Sequence, residues 1–162
     1  MPESSPRKKA KRAAREGKSP STQAGEFVRE EIHHVREGKH GARNTKQAIA
    51  IGLSKARRAG VKLPPGGSRE TRKQASRDLA KGRRRKPSRP SASRSRASTR
   101  KLRREGRAAA SSLALSRQAR RSAKRRGAKA RSQAARKAVR TKGPVARRAA
   151  ARKAARTRAR RR

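Results

Sequence analysis

His33, His34 and His40 fall within eight positions of one another, among Glu26, Glu30, Glu31 and Glu37. Imidazole and carboxylate groups spaced by four on a helix, as in His33 with Glu37 and Glu30 with His34, are the raw material of a zinc site or an acid–base pair. Adjacent helical side chains diverge by about 100°, so His33 and His34 do not both face one ion. The same spacing is that of ordinary charge pairs along a helix face. Acid–base chemistry also needs its groups held in a desolvated cleft, which so short a stretch cannot build. There is no Gly-x-Ser-x-Gly elbow, no phosphate-binding Gly-Lys-Ser loop and no dinucleotide-binding glycine fingerprint. The residues therefore predict no catalytic site, no metal and no cofactor: a protein that is not an enzyme.

The remaining chemistry is charge. Lys and Arg number 54 of the 162 residues against nine Asp and Glu, for a formal net charge of +45. Such a chain repels itself and calls for a polyanion. Duplex DNA carries a negative charge about every 1.7 Å, so the excess matches roughly 22 base pairs of phosphate. Arg outnumbers Lys by 37 to 17, favouring bidentate phosphate contact. One Phe and no Tyr or Trp argue against single-strand recognition by base stacking. The absence of Cys removes disulfides and thiolate sites and fits a reducing compartment. No apolar run approaches the length of a membrane span, and the cationic stretches lack the apolar face of a membrane-surface helix.

Stepping along the chain, the charge is unevenly distributed. Residues 1–20 carry net +5, residues 21–67 net +5, residues 68–105 net +13 and residues 106–162 net +22, the last with no acid beyond Glu105. Residues 1–20 read as a disordered basic arm. Residues 21–67 hold nine of the sixteen apolar residues larger than Ala, enough for a minimal core. Here Ser21 or Thr22 caps a helix running to about Glu37, with Ala24, Val28, Ile32 and Val35 on one face beside Phe27. Gly38 supplies the left-handed stop. A second helix follows, with Asn44 and Gln47 in capping-box spacing, Ile49, Leu53 and Ala56 on one face, Gly52 allowing a close backbone approach, and Gly60 as its terminator. The expected unit is a small all-α helical hairpin, marginal alone and stabilised as a homodimer or by a protein partner.

The run Lys46-Gln47-Ala48-Ile49-Ala50-Ile51-Gly52-Leu53-Ser54-Lys55-Ala56-Arg57-Arg58-Ala59-Gly60 resembles the signature of a family of small basic bacterial and phage proteins of unknown function. Glu26-Phe27 and the turn Gly38-Lys39-His40-Gly41 resemble that family's upstream half, so the likeness covers roughly residues 24–65. It implies a bacterial or phage source and carries no activity with it.

Residues 68–100 read as a basic Ser/Pro/Arg-rich linker with a short helix over 69–81, capped by Ser68 and closed by Gly82. Proline and like charges argue against helix in the remainder of it, which resembles protamine and linker-histone tails. Residues 101–162 are rich in Ala, Arg and Lys. They are expected to be largely disordered when free, with helical segments near 100–126, 128–142 and 145–160 forming on a polyanion. Candidate phosphate-binding residues in the hairpin are Lys46, Lys55, Arg57 and Arg58, because the first helix is acidic and nearly neutral. In the linker they are Arg83, Arg84, Arg85, Lys86, Arg89, Arg94 and Arg96. In the tail they are Arg120, Arg121, Lys124, Arg125, Arg126, Arg147, Arg148, Arg152, Lys153, Arg156, Arg158, Arg160, Arg161 and Arg162. These residues predict largely sequence-independent binding and compaction of duplex DNA, as by a histone-like, nucleoid-associated protein of the bacterial cytoplasm, or a nuclear one in a eukaryote. The alternatives are an RNA- or ribosome-associated protein, and an adaptor whose hairpin recruits a protein to DNA.

Overall fold

Pro6 and Pro20 each stand in the first turn of a helix, where the missing N–H has no intrahelical partner to lose. In the computed structural model, which describes residues 5–83 and 91–160, Pro6 opens α1 (Pro6–Arg15) and Pro20 opens α2 (Pro20–Arg36). The α2 cap is Ser19, whose Oγ accepts the Thr22 N–H at 3.4 Å. This is two residues before the expected Ser21, because the proline ring presets helical φ at position 20. At the other end Gly38 adopts φ 75°, and the Lys39 N–H reaches the His34 carbonyl at 3.0 Å. Next comes α3 (Thr45–Arg58), where Asn44 Oδ1 accepts the Gln47 N–H at 2.9 Å. Gly60 closes α3 at φ 95°, with the Val61 N–H on the Ala56 carbonyl at 3.1 Å. These paired bonds satisfy carbonyls that a helix end otherwise leaves open.

α2 and α3 pack as a hairpin. From α2, Ala24, Ile32 and Val35 of the expected face are buried, while Val28 is only half-buried and Phe27 beside it is buried. On α3 the buried residues are Thr45, Ala48, Gly52 and Ala56, while Ile49 and Leu53 are only half-buried. The reason is separation. A Cβ placed on Gly52 would lie 2.7 Å from Val28 Cα, so the two backbones touch there and the larger side chains are displaced to the flanks. Two apolar clusters result. One joins Ile32, Val35, Ala42 and Ala48 to Ala109 and Ala110. The other joins Phe27, Ala24, Ala56 and Val61 to Ala10 of α1.

The arm expected to be disordered thus contains a packed helix. α1 buries Ala10 and Ala13, three apart on one face, and lies against α2. α4 (Arg69–Arg83) packs on α3 with Ala75 and Asp78 buried. Ser68 caps it, accepting the Thr71 N–H at 3.3 Å. Gly82 lies inside this helix, not beyond it, and its Cα is pressed against the Arg57 carbonyl.

The region read as linker and disordered tail is also helical. α5 (Ala92–Arg103), a 3-10 turn (Ala108–Ala110), α6 (Ser112–Arg125) and α7 (Gly127–Ala159) follow in order. Proline does not prevent α5, because it starts after Pro90, and Ala and Arg favour helix strongly enough to outweigh their neighbours' repulsion. Two breaks fall between the expected segments, and a further one, between Arg103 and Ser112, interrupts the segment expected over 100–126. Gly127 has φ 73°, and Gly143 (φ 63°) with Pro144 kinks α7. Part of this region also joins the core. Gly41 N–H bonds to the Leu102 carbonyl at 2.9 Å, Ala42 N–H to Gly106 at 3.1 Å, and Thr45 Oγ1 donates to Ala109 at 2.7 Å.

Residues Met1–Gln118 form one compact unit and Ala119–Arg162 a second. The fold is all-α, with no strand among the described residues, and none of its described helices is long and apolar enough to cross a membrane. Gly52→Ala should destabilise the first unit by about 1–3 kcal/mol through overpacking at the Val28 backbone. Ala50→Gly, an exposed α3 position, should cost about 1 kcal/mol by helix propensity alone; urea denaturation compares the two.

Candidate nucleic-acid interface

A cation is available to phosphate only if no carboxylate or carbonyl of the chain already holds it. In the first unit most of the acids are so engaged. Glu16 meets Lys18 at 2.5 Å and Arg12 at 3.0 Å, which together hold its carboxyl below the usual range. Glu37 is likewise lowered, first by Lys39 at 2.8 Å and then by His33 at 3.4 Å. Arg29 pairs with Glu26 at 3.0 Å, and Arg36 Nε donates to the Ala110 carbonyl at 2.8 Å.

The same holds for most of the α3 cations named from the sequence. Lys55 Nζ donates to Glu31 Oε2 at 2.5 Å. Arg57 is 8% exposed, and its Nε donates to the Leu63 carbonyl at 3.4 Å. Arg58 Nε lies 3.7 Å from Asp78 Oδ1, and Ser54 Oγ donates to Asp78 Oδ2 at 2.6 Å. Lys46, in the first turn of α3, is exposed. Lys55 and Arg57 are thus turned inward, while Arg58 stays exposed beside α4.

No acid follows Glu105 in the sequence. Arg94 and Arg96 are exposed on α5, which buries no residue. Arg120, Arg121, Lys124 and Arg125 are exposed on α6, Arg126 at the start of α7, and Arg83 at the end of α4. Arg147, Arg148, Arg152, Lys153, Arg156 and Arg158 are exposed along α7, with Arg160 just after it. Arg148, Arg152 and Arg156 form a row four residues apart, roughly 6 Å per step, flanked by Val145 and Ala149. The sequence-named Arg84, Arg85, Lys86, Arg89, Arg161 and Arg162 lie outside the described residues.

A second constellation lies where α2 meets the Gly38 turn. Glu31 is fully buried, with Lys55 on Oε2 and His40 Nε2 3.2 Å from Oε1. His34 stands edge-on to His40, the ring centroids 6.0 Å apart. Burial pushes the His34 imidazole below its ordinary pKa, and the charges of Lys55 and Lys39 push it further the same way. The sequence pairs His33 with Glu37, which the structure shows, and Glu30 with His34. It missed Glu31, His34 and His40. The signal was present: Glu31 and His34 are three apart on one helical face, and Gly38 turns the chain to return His40 to it.

Over residues 8–67, which span α1 to α3 and the segment after them, the chain is similar to a family of unknown function (DUF6496). No curated protein and no solved structure matches it.

Lys55→Met strands the Glu31 carboxylate, buried, without its ammonium partner. It should destabilise the fold by about 2–4 kcal/mol in urea denaturation. Lys46→Met, at an exposed position, should stay within about 0.5 kcal/mol of the parent protein.

Proposed function

We propose that this protein binds duplex DNA without enzymatic activity, through phosphate contacts of its α5–α7 region, and compacts it. The observation that carries the reading is the run of 22 Lys and Arg residues with no acid over residues 106–162, whose described basic side chains are all exposed. α7 alone holds twelve cations over 33 residues, about one per 4 Å at the helical rise, against a DNA charge about every 1.7 Å.

Because these segments are helices, the groove they suit is the major one. An α-helix about 10–12 Å across matches a major groove about 12 Å wide and is too broad for the minor groove, about 6 Å. Over residues 106–162 only Gln118 and Gln133 carry amide side chains. Arg and Lys spread around the helices meet phosphate in any register, so the contacts are mainly to the backbone and largely indifferent to sequence. In this reading α1–α4 form a folded anchor for the cationic helices, and among their cations Lys46 is placed to contribute. A bacterial or phage origin accords with the likeness of residues 46–60, and a nucleoid location would follow from the binding of DNA.

With about ten phosphates neutralised, log affinity for duplex DNA should fall with log salt at a slope near −9. Converting Arg147, Arg148, Arg152, Lys153, Arg156 and Arg158 to Gln together should flatten that slope by about 5. Competition at about 0.15 M salt between duplex DNA and ribosomal RNA decides the class of polyanion. A preference for RNA above tenfold replaces this reading with RNA binding.

A further inference from the structure

Glu31 Oε1 is enclosed by protein and accepts no hydrogen bond. Its near neighbour is His40 Nε2 at 3.2 Å. The other ring nitrogen, Nδ1, lies 3.1 Å from the Gly41 carbonyl, which can only accept, so Nδ1 carries the proton. In the neutral ring Nε2 then presents a lone pair to a carboxylate oxygen, and two acceptors face each other across a buried gap. Something positive must sit between or beside them: a proton on Nε2, or a metal ion.

The geometry points to a metal ion. We propose that Glu31, His34 and His40 form a binding site for a zinc-class divalent cation. One ligand atom from each lies within 4.8 Å of the other two. Modest side-chain rotation closes that set onto an ion with Zn–N of about 2.0–2.1 Å and Zn–O of about 2.0–2.2 Å. A backbone carbonyl held by the opposite imidazole nitrogen is the usual outer support of a zinc-bound histidine, and the Gly41 carbonyl occupies that position for His40. Lys55 holds Oε2 and leaves Oε1 for the ion. Of the three ligands His34 alone also lines a surface cleft, and from that side water or an external ligand would complete the coordination. Two ligands come from α2 and one from the turn leading to α3, so the ion would clamp the hairpin at its closed end. This site is independent of the DNA-binding reading.

The test uses the full chain after chelator treatment, titrated with zinc chloride against a competing chromophoric chelator and separately with cobalt chloride. The expected result is one zinc per chain, an upward shift of the melting temperature with zinc, and cobalt d–d absorption showing mixed nitrogen and oxygen ligation. Loss of an outer support alone weakens zinc sites by roughly 10–100-fold, so His40→Ala and His34→Ala should each weaken binding by more than about tenfold. His33→Ala, outside the ligand set, should leave affinity unchanged. The wild-type cobalt spectrum needs no variant to fold. No stoichiometric zinc at micromolar concentration, or binding that survives both His34→Ala and His40→Ala, overturns the proposal and leaves a proton as the cation between His40 and Glu31.

Discussion

Where α2 crosses α3, the Gly52 backbone rests against that of Val28, and the pairing of these two helices depends on that closeness. At such a separation a bulky residue does not fit between the axes, so the crossing is lined by Ala48, Gly52 and Ala56 with Ala24 opposite. The same device recurs. Gly41 lies against the Glu105 backbone, Gly82 against the Arg57 carbonyl, and α1 docks through Ala10 and Ala13. Each small residue buries little area by itself. Together they bring backbones near enough for dispersion to act over long stretches, and for Thr45 and Arg36 to reach the carbonyls of Ala109 and Ala110.

Close approach also decides which charges are compensated. With α2, α3 and α4 held near one another, the carboxylates of Glu31 and Asp78 become buried partners of Lys55, Arg58 and Ser54. Burying those carboxylates is tolerable only because each has a cation within reach. The acids of the chain thereby serve the packed unit, and the sequence places none after Glu105. Folding and charge display are assigned to different stretches of one sequence.

Much of the hairpin was legible from its residues. Gly38, Asn44 and Gly60 act through backbone geometry that neighbours cannot override, so the ends they mark are where the structure has them. The α2 face from Ala24 to Val35 was legible for the same reason, since a period of three to four survives any packing partner. The α3 face was misjudged in emphasis. Ile49 and Leu53 are the large apolar residues, but tight packing favours small ones, and an inventory that sets alanine aside cannot see that face. The same bias hid α1 and the seat of Ala109 and Ala110. The Glu31, His34 and His40 grouping was hidden by a turn, because the return of His40 depends on where Gly38 bends the chain.

The helical region after Ser91 obeys a different balance. α5 buries nothing, and α7 exposes every residue whose side chain is described apart from the half-buried Ala130 and Gly143, so burial cannot be what makes them helical. What remains is intrinsic preference: alanine and arginine stand near the top of the helix scale, and each added residue gains one backbone bond once a turn exists. Repulsion between like charges opposes this, but it is spread around all faces and screened over about 8–10 Å at ordinary salt. In the DNA-binding reading proposed above, a polyanion would reverse the sign of that opposing force, since each phosphate would lower the repulsion among the guanidiniums around it. The helices would gain from such a ligand the stability that the first unit gains from closely packed alanine and glycine.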